Sequence, residues 1–223
     1  VQGPEAQRVL LDRVAARPYS YLNEHSTKTA MRTKDFEPDD VADAAMHVFW
    51  QRGYAATSVQ DLVDGTGLGR GSLYNAFGSK QGLYEAALRR YHDLTIANLE
   101  LLARPGTARE RIGRLLDFIA DDELREATRR GCLVANASLE MAGQDEAVAE
   151  LVRRNFQRLE KALEKILADA QATGEIDAGK SPRALARFIV TTIQGLRVVS
   201  KGNKARERRQ WLADVVAVAL GAL

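Results

Sequence analysis

The residue types best suited to recognition chemistry in this chain cluster in the run Arg70-Gly71-Ser72-Leu73-Tyr74-Asn75. An arginine fork and a carboxamide can each make paired hydrogen bonds to base edges, while hydroxyl and phenol groups hold phosphates. Arg70, Ser72, Tyr74 and Asn75 put such groups on one polar side of a short helix. Leu73 and Phe77, four residues apart, give it an apolar side with which to anchor itself. Gly71 keeps the outer surface low enough for close approach to a partner.

Other chemistries find less support. His25, His47 and His92 are scattered, none with a second ligand at metal spacing, and neither a nucleophile–base pair nor a carboxylate dyad stands in a recognisable setting. No catalytic residue, metal or cofactor is therefore expected. The glycines Gly65, Gly67, Gly69 and Gly71 superficially suggest a phosphate-cradling loop, but they follow a helix instead of a strand and lack the Gly-Lys-Ser/Thr ending of a P-loop. Cys132 stands alone, which rules out an intramolecular disulfide and fits a reducing compartment. An accessible thiolate there would suit a redox or electrophile sensor, and a buried one an inert packing residue.

The elements that must position the Arg70 segment can be read from caps and periodicity. Val41, Ala44, Ala45, Val48 and Phe49 share one helical face, behind Pro38 at a first-turn position, with Asp39 and Asp40 at the positive end of the dipole and Gly53 as the stop. Ser58 with Asp61 three residues on forms a capping-box-like start for a second, short helix ending near Gly65. The turn Gly65-Thr66-Gly67-Leu68 leads into the Arg70 helix, which stops at Gly78 before a new cap at Ser79. Two short helices joined by a glycine-containing turn, with another packed behind, make a helix-turn-helix whose second helix enters the major groove.

The rest reads as long amphipathic helices: about Ser79 to Leu102, Thr107 to Leu124, one starting near Gly131, one from Asp145 to Gly174, and two spanning about Ser181 to Ser200 and Ala205 to Leu220. No strand pattern is visible, so the expected fold class is all-α, with about nine helices. The predicted division is an N-terminal extension over 1–37, a three-helix helix-turn-helix domain over 38–84 and a larger helical domain over 85–223. Met31 resembles a bacterial start, which would make residues 1–30 an upstream addition.

The run Gly53-Tyr54-Ala55-Ala56-Thr57-Ser58-Val59-Gln60-Asp61-Leu62-Val63, followed by Gly67-Leu68-Gly69-Arg70-Gly71-Ser72-Leu73-Tyr74-Asn75-Ala76-Phe77-Gly78-Ser79-Lys80, resembles the DNA-binding domain of TetR-type (TetR/AcrR) transcription regulators. The likeness extends from Val41 to Leu88. It implies DNA contacts by Tyr74 and Asn75, and phosphate contacts by Thr57, Ser58 and Lys80. Ala76 departs from the pattern, since many members carry histidine there. The resemblance further implies a homodimer whose C-terminal domain binds a small-molecule effector.

In that domain, periodicity sets Leu185, Phe188, Ile189, Thr192, Ile193 and Leu196 on one face of the penultimate helix. Trp211, Leu212, Val215, Val216 and Ala219 share a face of the last helix. These faces either close the monomer core or pair with their copies in a four-helix bundle. The dimer reading assigns the interface to Phe188, Thr192, Leu196, Trp211, Val215 and Ala219. Candidate effector-pocket residues are Phe118, Cys132, Asn136 and Phe156, although an apolar stripe can equally be plain core.

Composition permits this reading without pointing to it. With 45% hydrophobic and 28% charged residues the chain is an ordinary globular protein, and a net charge of +2 places the nucleic-acid argument on the local motif. No apolar run reaches the roughly 20 residues that span a bilayer, and the N-terminus lacks a signal-peptide pattern, so a cytoplasmic, nucleoid-associated protein is expected. The function expected is ligand-responsive regulation of transcription, most simply as a repressor released from a palindromic operator by a small molecule. The alternatives are an enzyme, or a helical binding protein that makes no contact with DNA.

Overall fold

A computed structural model describes residues 36–125 and 130–223; the extension expected over 1–37 thus lies almost wholly outside the described residues. The described residues form ten α-helices and contain no strand. These are α1 (Pro38–Arg52), α2 (Val59–Thr66), α3 (Arg70–Phe77), α4 (Lys80–Leu94), α5 (Ile96–Ala103), α6 (Ala108–Arg125), α7 (Leu133–Glu140), α8 (Glu146–Ala172), α9 (Pro182–Val199) and α10 (Ala205–Gly221), with a 3-10 turn at Ser200–Gly202.

The helices begin where short polar side chains can satisfy their orphan N–H groups. Ser58, Ser79, Asp145 and Ser181 each accept a bond from the backbone N–H three residues on, and Asp61 returns the favour to Ser58 N at 2.8 Å. The helix expected from Ser79 to Leu102 is instead divided at Thr95, into α4 and α5. Side chains sixty or more residues away in sequence attend this break: Arg158 donates to the His92 carbonyl at 2.7 Å and to Thr95 Oγ1, and Asn155 donates to Thr95 Oγ1 at 3.3 Å.

Two apolar cores result. One joins α1 to α4 with α7 and the start of α8, through Met46, Phe49, Leu62, Leu73, Tyr84, Val134 and Val148. The other fills the space among α5, α6, α8, α9 and α10, through Leu102, Ile112, Leu116, Leu163, Ile193 and Leu212. The first core runs past the boundary expected at residue 84, because α7 closes the open side of the N-terminal helices. Glu140 of α7 reaches the loop after α1 and accepts from Ala55 N at 3.1 Å. Gln81 of α4 is hydrogen-bonded to Asp145 at the start of α8.

Candidate nucleic-acid interface

The helix-turn-helix depends on two glycines for different reasons. Gly67 ends α2 in the left-handed region, at φ 70°, where a Cβ is unfavourable. At Gly65 a Cβ would stand 2.3 Å from Val48 Cγ2, so glycine is what lets α2 lie this close to α1. Leu68 and Leu73 are buried in the N-terminal core and fix α3 from behind. Burying Leu73 contributes about 2 kcal/mol by removing its side chain from water.

Fixed in this way, α3 turns its polar side outward. Arg70, Gly71, Ser72, Asn75 and Ala76 are exposed, Tyr74 and Phe77 are half-buried, and nothing lies within 4 Å of a Cβ built on Gly71. The Arg70 guanidinium stands over the Tyr74 ring, 5.5 Å from its centroid. No side chain caps α3, and its first intrahelical bond runs from Leu73 N to Gly69 O. The N–H groups of Arg70, Gly71 and Ser72 therefore lie at an exposed positive helix end, suited to an anion.

Tyr74, Ser79, Lys80 and Val59 line one shallow depression between α2, α3 and α4. Lys80 sits with its ammonium 4.4 Å from the centroid of the Tyr54 ring, and partial burial lowers its pKa from the usual lysine value. Ser58 is exposed at the N-terminus of α2. Thr57 corrects the sequence reading. The residue is only 1% exposed and its hydroxyl donates to the Gly53 carbonyl at 2.6 Å, so the hydroxyl is spent on the loop after α1 and not presented at the surface.

A second candidate site lies between α4, α8 and α9. This cleft is partly open to solvent. Of the four candidate pocket residues it brings together Cys132 and Phe156, but not the other two. Phe118 packs against the second core, and Asn136 Nδ2 donates to the Arg130 carbonyl at 3.3 Å. Sequence reasoning missed Arg158, Gln194 and Arg197, all of which line the cleft, because a charged or amide residue on a helix normally reads as solvated. Arg197 is buried between Asp122 at 3.2 Å and Glu123 at 3.3 Å, and Ser200 Oγ donates to Glu123 at 2.8 Å.

The cleft is joined to α1 by a short chain of contacts. Tyr91 and Cys132 both line the cleft, and burial pushes the Tyr91 phenol well above the usual range. The Tyr91 ring meets Trp50 edge-on at 5.0 Å. The Trp50 indole donates to the Gly131 carbonyl at 2.9 Å, and Arg130 lies over its face at 4.3 Å. Tyr91 and Gly131 are therefore in direct contact with α1, the helix that backs α2 and α3.

Comparison with known proteins identifies this arrangement. Residues 41–87 match the model for bacterial regulatory proteins of the tetR family, and residues 97–216 match a tetracyclin repressor-like C-terminal domain. The chain belongs to the tetR family. It is 31% identical over 188 residues to the HTH-type transcriptional repressor ComR of Escherichia coli K12, covering 83% of this chain and 90% of that protein. The HTH-type transcriptional repressor DhaR of Mycobacterium sp. strain GP1 is 29% identical over 184 residues, covering 81% and 90%. Among solved structures, a cysteine mutant of the TetR-family regulator CifR in complex with 26-base-pair operator DNA superposes with a TM-score of 0.73. It is 31% identical, over 86% of this chain and 99% of that one. This tetR-family chain is thus a DNA-binding transcription regulator and not an enzyme.

Proposed function

We propose that this tetR-family protein is a homodimeric repressor that holds a palindromic operator through α3 and releases it when a small molecule enters the cleft between α4, α8 and α9. The observation that carries the reading is the outward polar face of α3, anchored by Leu73 and continuous with Tyr74, Ser79 and Lys80. Arg70 and Asn75 read base edges; Ser58, Ser72, Tyr74 and Lys80 hold phosphates.

Apolar residues that the monomer leaves in water support a docking face for the second subunit. Phe188 is 41% exposed, Val198 49% and Val218 70%, on faces of α9 and α10 turned away from the core. Thr192 is half-buried on the same side of α9, and Trp211 and Val215 are half-buried on α10. Leu196 and Ala219, expected at the interface, are enclosed in the subunit's own core and cannot reach a partner. The interface is therefore built on Phe188, Thr192, Val198 and Val218, with α9 and α10 pairing with their copies as a four-helix bundle. Such a regulator works in the cytoplasm at the nucleoid, in keeping with the absence of any described helix long and apolar enough to cross a membrane.

An effector acts by binding better to a dimer whose recognition helices are differently spaced, and so draws the population away from the DNA-competent form. The Tyr91–Trp50–Gly131 contacts carry that change to α1. DNase protection across the intergenic DNA flanking the coding sequence tests the reading. Two protected half-sites with centres about one duplex turn apart, or a multiple of it, are expected. Uniform protection without half-sites would overturn it.

A further inference from the structure

The chemistry of the cleft's occupant can be narrowed from three features of its wall. The first is charge. Arg158, half-buried in the middle of α8, has no carboxylate within ion-pairing distance among the described residues. Its bonds to the His92 carbonyl and Thr95 Oγ1 engage one terminal nitrogen, Nη2, and satisfy no anion. The neighbouring cation, Arg197, is already matched by Asp122 and Glu123. Asp93 acts on Arg158 only from beyond ion-pairing distance, so the cleft presents one positive charge without a direct ion-pair partner, which suits a monoanion better than a phosphate dianion.

The second feature is Gln194, whose Oε1 is buried and accepts no hydrogen bond. An amide left this way in an apolar wall is costly, and a hydroxyl would satisfy it whichever end of the amide faces inward. The third is the remaining wall, where Leu99, Ile119, Phe156, Leu159 and Ile193 offer apolar surface for a carbon skeleton.

We propose that the cleft binds a small carboxylate bearing a hydroxyl on an aliphatic or aromatic skeleton, its carboxylate on the Arg158 guanidinium and its hydroxyl on the Gln194 amide. The proposal rests on the effector reading above. It also gives the break at Thr95 a use: a carboxylate on Arg158 competes with the His92 carbonyl and Thr95 hydroxyl that hold this guanidinium, and so loosens the junction of α4 and α5. The entering anion and the end of α4 thus share one side chain.

Isothermal titration of the full-length protein, without DNA, tests the assignment with 4-hydroxybenzoate, 3-phenyllactate and 2-hydroxyoctanoate, each beside its methyl ester, and with inorganic phosphate. At least one acid should bind more tightly than its ester by about tenfold or more, and phosphate should not bind. Arg158→Gln should erase the acid-over-ester preference and Arg158→Lys keep part of it. Thr95→Val, which removes the hydroxyl contact and leaves the charge, should retain the preference. Gln194→Glu, which adds a negative charge to the wall while Arg158 stays in place, should weaken the acid more than the ester. Equal binding of every acid and its ester, or an acid preference that survives Arg158→Gln, overturns the assignment. A mobility shift on operator DNA separates the two proposals: an acid that binds through Arg158 without releasing DNA keeps this site and removes the effector reading, and release by an uncharged compound alone does the reverse.

Discussion

At the scale of single residues, the cap at Ser58 shows how little chemistry holds the reading head in register. Ser58 Oγ accepts from Asp61 N at 3.1 Å, and the Asp61 carboxylate accepts from both Ser58 N and Ser58 Oγ. These bonds from Ser58 hold the Asp61 carboxyl below its usual range, and Arg52 at 3.1 Å works in the same direction. Ser58→Ala should cost about 1 kcal/mol of stability, lowering the melting temperature by about 2–4 °C. The folded-state pKa of Asp61 is depressed, so its stabilisation is present above the ordinary carboxylate value and lost as the pH falls through the lowered one. Melts of wild type and Asp61→Asn should accordingly differ at pH 7 and converge in strong acid. A difference that persists there would assign the cap to something other than the ionised carboxylate.

Residue type misleads at this scale as often as it informs. Thr57 and Ser58 are adjacent hydroxyls, and only the geometry of the turn decides that Ser58 faces out while Thr57 turns in to the Gly53 carbonyl. Arg158 looks like any helix-surface charge until the Thr95 break, brought near by packing, supplies its neighbours.

At the scale of elements, the sequence was legible wherever a cap and an apolar stripe agreed. Pro38, Ser58, Ser79, Asp145 and Ser181 mark the starts of their helices within a residue of the observed ones. The Thr95 break was illegible because apolar residues Leu94, Ile96 and Leu99 run through it, and the side chains that bond to it lie on α8. The face of α9 was ambiguous for a related reason. Ile189, Ile193 and Leu196 point into the subunit while Phe188, Val198 and Val199 point out, so apolar residues occupy both sides and periodicity cannot say which belongs to a partner.

Between elements, α9 is tied to α6 by a buried ion pair. Burial pushes the Glu123 carboxyl above its usual range, with Arg197 and Ser200 pulling against that shift. Arg197→Met leaves Glu123 in the core without its counter-charge and should cost about 3–5 kcal/mol in urea unfolding. The double variant Arg197→Met, Glu123→Met should recover much of that loss. If it recovers nothing, the pair is not what joins the two helices.

At the scale of the whole molecule, the two cores explain how a signal can pass without a hinge in open chain. The core around α3 is completed by α7 and α8 of the C-terminal region, so the DNA-binding helices share packed side chains with the elements that wall the cleft. On the proposed reading, the exposed apolar residues on α9 and α10 are where a second copy docks, and the dimer sets the spacing of the two recognition helices. The central claim remains that α3 meets DNA through its outward face. Fluorescence anisotropy with labelled intergenic DNA, comparing wild type with Tyr74→Ala, tests it most directly. Tyr74 is half-buried at the edge of that face, so its variant should keep the fold and the dimer while losing at least about 1–3 kcal/mol of binding free energy, the cost typical of one lost specific contact. Equal affinity of the two proteins for that DNA, at low salt where phosphate contacts are strongest, would contradict the account.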